Sequence, residues 1–573
     1  MKRIVYIIIA TGSIFLAASC DKFLEQPPQG VVSGDDLNTP ENVEKLVVSA
    51  YSALGNEAIH TSYSLWPWGS MRSGDAYKGG DGPGDNTEWH DYETYVTNRN
   101  TNSRSDLMWA QIYNAIARIN EALGRINNME EPLYPQKVQR QAEMRFLRGH
   151  FYFMLKILFK YVPYLDETVP KEQYATISNR QFSNDELWTK IADEFRYAAD
   201  HLPETQTQIA RPLKFTAKAY LAKTLLYQAY AQNEDNSISG IDNSKLQEVV
   251  SLCNEVIASG RYNLAADFAE NFLGATENGP ESVFAIQYSR NDNTTYGRIN
   301  MGQALVYPMN KEFGCCWQHI PSQNLVNSFK TDVKGLPMFT GYNQSDAVEG
   351  DDFFDNTFDP RLDHTVAIPG HPWKYKPDFV YQKTWARAPQ IYGFFTTLKG
   401  TVAPDDPTFQ KIPPFMSSSA NWELIRYADL LLWKAEALIE LGRQDEALPL
   451  INQVRARAAN SVSRLKQQDG SFTSNYLVHT YQPGVNCTWD QAFARQALRW
   501  ERRLEFAMEG NRLFDLVRWG IADVYMNNYF KEESPKRTYL QTAKFQKGRD
   551  EYLPIPLNQI NFSKGLYQQN AGW

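Results

Sequence analysis

Residues 425–448 read Ile425-Arg426-Tyr427-Ala428-Asp429-Leu430-Leu431-Leu432-Trp433-Lys434-Ala435-Glu436-Ala437-Leu438-Ile439-Glu440-Leu441-Gly442-Arg443-Gln444-Asp445-Glu446-Ala447-Leu448. Leu424, Ala428, Leu431, Ala435 and Leu438 fall on one face of a helix, which predicts a helix with a buried stripe beginning near Trp422. Gly442 stands where a helix end needs a residue that accepts positive φ. Glu446-Ala447-Leu448 then opens a second helix running to Ala459, and Ala447 is small enough for the two helices to approach closely. The stretch predicts a helical hairpin, and with it a mainly α-helical chain.

The hairpin has the spacing of a tetratricopeptide unit. A second pair, Arg211 to Tyr230 and Lys245 to Ala258, carries Ala219, Ala222 and Ala229 as small contact residues, with a longer connection. Such a unit cannot bury both of its faces alone, so neighbours must stack; unrelated helical hairpins would give the same local pattern. Helix starts recur along the chain. Thr39-Pro40 opens a helix through Tyr51, and apolar periodicity predicts another from Leu107 to Ile126. Ser183-x-x-Glu186, Ser244-x-x-Gln247 and Thr488-x-x-Gln491 read as capping boxes. From Gly279 to Ala420 the periodicity stops, proline and glycine become frequent, and only short strand-like pieces remain, at Ser282 to Tyr288 and Gly393 to Leu398. The expected organisation is a helical region over 20–280, an irregular loop-rich insertion over 281–420 and a second helical region over 421–573.

At the N-terminus, Lys2 and Arg3 precede the apolar stretch Ile4 to Ala18, which has the length of a signal-peptide core and is short for a membrane span. Leu16-Ala17-Ala18-Ser19-Cys20 resembles a bacterial lipobox, with Ala17 where leucine is preferred. Residues 1–19 therefore read as a signal peptide and Cys20 as an acylated membrane anchor.

Composition narrows the function. The formal charge is −8, and no basic stripe is available to neutralise phosphates, so a nucleic-acid partner is not expected. The eight histidines include no H-E-x-x-H, and neither a G-x-S-x-G elbow nor a phosphate-binding glycine loop occurs. No catalytic residue and no cofactor is expected. A glycosidase carboxylate pair remains the enzymatic alternative, because the 66 acidic residues guarantee carboxylates in some proximity. Asp351, Asp352, Asp355 and Asp359 read either as a structural calcium site or as a solvated acidic loop. Cys315 and Cys316 are either a vicinal disulfide or two packed thiols.

Aromatic residues make up 13% of the chain, and several fall in segments that read as loops. A flat ring stacks on the C–H face of a sugar while neighbouring polar groups take its hydroxyls. Three segments combine such rings with polar partners: Trp66, Trp68, Asp85 and Trp89, with Asp75 nearby; Tyr296, Trp317 and His319; and Trp385, Arg387 and Tyr392. We expect them to converge, with Trp89, Trp317 and Tyr392 as a stacking arc. Trp422, Trp433 and Trp500 read as core.

Several motifs, in order along the chain, resemble those of the SusD/RagB family: Cys20-Asp21-Lys22-Phe23-Leu24-Glu25, Ala142-Glu143-Met144-Arg145-Phe146-Leu147-Arg148, Asp359-Pro360-Arg361-Leu362, Ile425-Arg426-Tyr427-Ala428-Asp429, Glu501-Arg502-Arg503-Leu504-Glu505-Phe506, and Tyr552-Leu553-Pro554-Ile555-Pro556 before the terminal Gln569-Asn570-Ala571-Gly572-Trp573. The resemblance implies a helical scaffold with tetratricopeptide units and an irregular ligand-binding region. It implies a surface lipoprotein that captures a poly- or oligosaccharide and passes it to a SusC-like TonB-dependent transporter. A transporter lid or a peptide binder of the same fold is the alternative. Arg72 to Gly80, together with Gly314-Cys315-Cys316 and Pro321-Ser322-Gln323-Asn324, is similar to a subgroup that includes levan-binding members, which adds Cys316 to the candidate site. The chain departs from that subgroup at Asn102-Ser103-Arg104, where a tryptophan is the pattern. That departure sets a plant hemicellulose such as xylan beside a fructan as the leading ligands.

Overall fold

The computed structural model describes residues 36–573, Tyr296 excepted. The expected signal peptide over residues 1–19, Cys20 and Tyr296 lie outside the described residues.

The N-terminal half is a run of helices: α1 (Pro40–Ser52), α2 (Thr87–Thr94), α3 (Ser103–Asn128), α4 (Lys137–Phe159), α5 (Asn184–His201), α6 (Lys214–Ala229) and α7 (Asn243–Ala258). From α3 to α7 each helix packs on the next, and α7 packs on α8 (Tyr427–Glu440), which pairs with α9 (Gln444–Asn460) and α10 (Gln491–Glu505). The tetratricopeptide stack is thus continuous through space although the loop-rich region interrupts it in sequence. Small residues set the close approaches: Ala219, Ala222 and Ala229 on α6, Ala435 on α8 and Ala447 on α9 are all fully buried.

Local chemistry explains the helix ends. Thr39 accepts the N–H of Asn42 at 3.3 Å ahead of Pro40, and Ser183 and Glu186 form a reciprocal capping box. Gly260 and Gly442 take φ of +63° and +76° just past α7 and α8. Two expected caps move. Asp242, not Ser244, caps α7 by accepting the N–H groups of Ser244 and Lys245, and Asp490, not Thr488, caps α10 through Phe493. In both cases an aspartate near the expected position carries a full negative charge to the positive end of the helix. The expected helix from Trp422 is also corrected. Trp422–Arg426 is a strand, paired antiparallel with Ser282–Ile286, and α8 begins only at Tyr427. The connection between α6 and α7 is a hairpin of Tyr230–Gln232 with Ile238–Ile241.

Within residues 281–420 no described helix exceeds the six residues of Gln323–Ser328. What fixes this region is charge. Arg361 is fully buried and reaches Asp359 at 2.7 Å, Glu501 at 2.7 Å and Glu505 at 3.0 Å. Arg426 reaches Glu281 at 3.2 Å, Glu505 at 2.8 Å and Glu509 at 2.9 Å. Arg455 pairs with Glu501 at 3.0 Å, and Arg457 pairs with Glu281 and Glu505. Burial alone would raise the Glu505 carboxyl, but Arg457, Arg426 and Arg361 hold it well below the usual carboxylate range. The motif residues Asp359, Arg361, Arg426, Glu501 and Glu505 are therefore one buried network that clamps the loop-rich region onto α10.

That network also removes Asp359 from any calcium site. Asp352 accepts the N–H groups of Val348 and Glu349, and among the described residues no group of three or more His, Cys, Asp or Glu side chains is placed to hold a metal ion. Cys315 and Cys316 are joined in a vicinal disulfide.

Candidate functional site

The three loop segments converge. A short antiparallel ladder joins Ala76–Gly79 to Gln318–Pro321, with Gly79 opposite Gln318, and the N–H of Gly80 donates to the Trp317 carbonyl at 2.7 Å. This stitches the first segment to the second. The Trp66 ring stacks on His319 at 5.0 Å, and the Trp317 and Tyr392 rings meet edge to face at 6.3 Å. The third segment closes on the first through Arg387, whose guanidinium reaches Asp85 at 3.1 Å and Asp81 at 3.6 Å.

The rings do not form a stacking arc. Trp66, Trp68, Trp89, Trp317 and Tyr392 are each 0 % exposed. A ring with no accessible surface offers no face to a sugar, so these five side chains form a floor. Their packing shows why: Trp89 is wedged between Trp66 at 4.8 Å and His60 at 5.4 Å, Trp68 meets Tyr92 at 4.9 Å, and Tyr392 meets Tyr539 at 5.3 Å. Trp66 and Trp317 anchor their indole N–H groups to the Gly302 carbonyl and the Thr396 hydroxyl. Cys316 and His319 are buried as well. Asp75 belongs to the scaffold, accepting from Arg503 at 2.9 Å. Trp385 is the aromatic residue of the three segments that keeps partial exposure among those described. Trp422 and Trp433 are core as expected, and Trp500 is half-buried.

What faces solvent is polar. Asp85 and Arg387 are partly exposed, as are Asn86, Glu88, Arg104 and His60. Arg104 pairs with Glu88 at 3.1 Å, donates to the Asn86 side chain at 3.1 Å and lies over the Trp89 ring at 5.5 Å. Lys78, buried beneath the rim, donates to the carbonyls of Gly79, Gly82 and Asp85 and so fixes the loop that carries Asp85. Burial brings the Lys78 ammonium down to about 8 despite Glu93 and Asp85. Gly80, at φ +77°, leaves room for Asp85: a Cβ there would stand 2.4 Å from the carboxylate and 3.3 Å from the Gln318 amide nitrogen.

Two features mark this floor as more than packing. Leu65, Asn86, Trp317 and His319 all hold positive φ, between 55° and 61°. That region costs a non-glycine residue about 1–2 kcal/mol, and such strain collects at functional sites. Second, buried polar atoms here lack partners: both ring nitrogens of His319, both amide atoms of Gln318, the Trp89 indole N–H and the Tyr392 hydroxyl. Burial lowers His319 to about 3, and burial with the Arg104 charge lowers His60 to about 4, so both imidazoles are neutral donor–acceptor groups at neutral pH.

Sequence reasoning missed His60, Lys78 and Gln318. Gln318 sits between two residues that were singled out, and His60 lies in a segment without an aromatic signal. Their roles come from pairing and packing across the chain, which local patterns do not carry.

A helical, ion-paired scaffold that gathers strained, unsatisfied polar groups under a charged rim is suited to binding. Residues 280–573 match the model of the SusD family, and residues 22–226 match a model described as starch-binding, associating with the outer membrane. The chain belongs to the SusD family. It is 23% identical to the SusD-like protein P2 of Formosa agariphila, over 96% of each chain. A SusD-like protein of Bacteroides ovatus is also 23% identical, over 92% of this chain and 84% of that one. Among solved structures, a SusD superfamily protein of Bacteroides vulgatus superposes with a TM-score of 0.68 at 22% identity, over 93% of this chain and 99% of that one. Surface glycan-binding protein A of Bacteroides thetaiotaomicron, solved with laminarihexaose, gives 0.65 at 20% identity, over 93% and 99%. These likenesses carry the helical, tetratricopeptide-containing fold. A carbohydrate-binding role, without catalysis, goes with the family.

Proposed function

We propose that the chain is a cell-surface lipoprotein that captures an extended polysaccharide on the rim formed by Asp85, Arg387, Arg104 and His60, and delivers it to a SusC-like TonB-dependent transporter. The observation that carries the reading is the Asp85–Arg387 pair, 3.1 Å apart and partly exposed above a floor with unpartnered polar groups. The Asp85 acceptor capacity left after the bonds from Asp81, Asn86 and Arg387, together with the guanidinium N–H groups, suits vicinal sugar hydroxyls, which donate and accept at once. A fructan follows from the sequence resemblance and a plant hemicellulose from the departure at Asn102-Ser103-Arg104; the laminarihexaose complex of a structural neighbour adds a β-glucan.

Affinity electrophoresis of residues 20–573 through gels containing levan, xylan or laminarin tests the reading. Retardation by one of them is expected, and loss of that retardation in Arg387→Ala. Free migration in all three gels would overturn it. The anchor is tested separately by Cys20→Ala, which should leave the protein soluble after cell fractionation. Delivery predicts that a tagged chain brings a large β-barrel through detergent pull-down, and recovery of the chain alone from cells growing on its glycan would count against it.

A further inference from the structure

Away from the rim, the molecule holds a cavity of about 330 Å³ between the segment Phe268–Thr276, the strand Trp422–Arg426 and the loop 400–402. Its walls mix surface types. Trp422 and Phe272 supply aromatic surface, Leu273 and Val402 aliphatic surface, and Asn271, Asn300 and Asn421 amides. Four carboxylates line it, Glu270, Glu277, Glu423 and Glu509, and among the described residues no lysine or arginine does. Glu509 is neutralised from behind by Arg426 and Lys399. Glu277 accepts the Asn421 N–H at 2.7 Å, and Glu423 accepts the Ser282 hydroxyl at 2.9 Å. Each of these two carboxyl groups therefore retains acceptor capacity toward the cavity.

Asn300 points to a ligand. It is 3 % exposed, its N–H donates to the Ser418 carbonyl at 2.9 Å, and its carbonyl accepts from Ser417, so its backbone is held on both sides. Asn300 lines the cavity, and its side-chain Oδ1 is buried with no hydrogen-bond partner among the described residues. Leaving a buried acceptor unpaired is costly, and a ligand donor would satisfy it. Burial pushes the Glu423 carboxyl up to about 7; Ser282 and Arg426 stabilise its charge while Glu281 and Glu509 oppose it. A bound cation would complete that balance.

We propose that this cavity is a second carbohydrate site, taking one sugar unit that bears an ammonium group and no carboxylate. Trp422 and Phe272 meet the C–H surface, Asn300 accepts a hydroxyl, and Glu423 with Glu277 takes the ammonium. The carboxylate-lined wall rejects uronic acids by like charge. The inference does not rest on the Asp85–Arg387 rim.

Saturation-transfer difference NMR on residues 20–573, with D-glucosamine, D-glucose and D-glucuronate as probes, tests it. D-glucosamine should bind about tenfold more tightly than D-glucuronate, and Glu423→Gln should weaken it about tenfold, the loss of one charge-assisted hydrogen bond. Asn300→Leu, which removes the unpaired acceptor, should weaken both D-glucosamine and D-glucose while circular dichroism stays native. Polysaccharide retardation in gels should be unchanged in Glu423→Gln. Absence of D-glucosamine binding by the wild-type chain, or wild-type binding by both variants, overturns the proposal. Loss of polysaccharide retardation in Glu423→Gln also overturns it, by making the cavity part of the first site.

Discussion

Two buried polar regions of this molecule differ in one respect. Around α10, Arg361, Arg426 and Arg455 meet Asp359, Glu281, Glu501, Glu505 and Glu509 at ion-pair distances, every carboxylate being shared by at least one guanidinium. Beneath the Asp85–Arg387 rim, His319 and Gln318 are buried as deeply and have no side-chain hydrogen bond among the described residues. A buried polar group that folding needs is satisfied within the fold; one left unsatisfied costs stability and is kept for something outside it. The first region is what holds the loop-rich segment in place, and the second is what that segment is held in place to present.

The sharpest way to break the comparison is to strip the clamp. Glu505→Gln leaves Arg361, Arg426 and Arg457 short of their shared counter-charge, and breaking a buried pair from one side costs about 3–5 kcal/mol. Denaturant unfolding should show a loss of that size, while glycan affinity per folded molecule stays at the wild-type value. A variant as stable as wild type would mean that the network is not the clamp.

The rim should respond the other way. Arg387 makes a partly exposed pair with Asp85, and such pairs contribute up to about 1 kcal/mol to stability. Arg387→Ala should therefore leave the unfolding midpoint nearly unchanged. Losing charge-assisted hydrogen bonds to sugar hydroxyls should weaken glycan binding about tenfold to a hundredfold, measured by titration calorimetry. Unchanged affinity would move the site off this rim.

The floor gives a finer contrast. Gln318 is 1 % exposed with both amide atoms unpaired, so Gln318→Leu removes two unsatisfied groups at nearly constant volume. The protein should be as stable as wild type or more so, by about 1 kcal/mol, while glycan binding weakens indirectly, because the amide lies beneath Gly80 beside the Asp85 carboxylate of the rim. Destabilisation would show that the amide is satisfied and that the floor is ordinary core.

The contrast also explains how far the sequence could be read. The helical stack was legible because Ala219, Ala222, Ala447 and Gly442 act within one or two turns of their neighbours. The motif residues Asp359, Arg361, Arg426, Glu501 and Glu505 were legible as a pattern, but their meaning, one shared ion network, needs contacts across about 140 residues, as from Arg361 to Glu501. The floor was misread. Trp66-Pro67-Trp68 looks like an exposed loop because proline interrupts periodicity, yet Trp66–Ser70 is a single buried turn. Gly69 packs so closely on Gly510 that a Cβ would stand 1.7 Å from its carbonyl oxygen. That fit, 441 positions away in sequence, has no local signature. Convergence of the three segments was foreseen from composition; which face of each ring is covered was not, because burial is decided by the partner strand and helix.

The smallest expected effect is that of pH. His319 and His60 have ordinary pKa values near 6.5 when unfolded and about 3 and 4 in the folded chain, lowered by burial and, at His60, by Arg104 as well. The folded state thus binds fewer protons than the unfolded state between about pH 4 and 6.5, so the stability these histidines contribute is full above about 6.5 and is drawn down as pH falls toward 4. Binding follows a different rule. Both imidazoles are already neutral across about pH 5.5 to 7.5, and a sugar hydroxyl bonded to the partly exposed His60, with a neutral His319 buried beneath, leaves them so. Glycan affinity should then change less than about twofold over that range, with no proton taken up on binding, since no site histidine crosses its pKa. Calorimetry at both ends of the range, in two buffers of different ionisation enthalpy, measures both quantities. A tenfold fall in affinity at the acid end, accompanied by proton release on binding, would mean that His319 ionises in the free protein. The floor would then be open to water, and the distinction between a satisfied clamp and a sealed, unsatisfied site would fail.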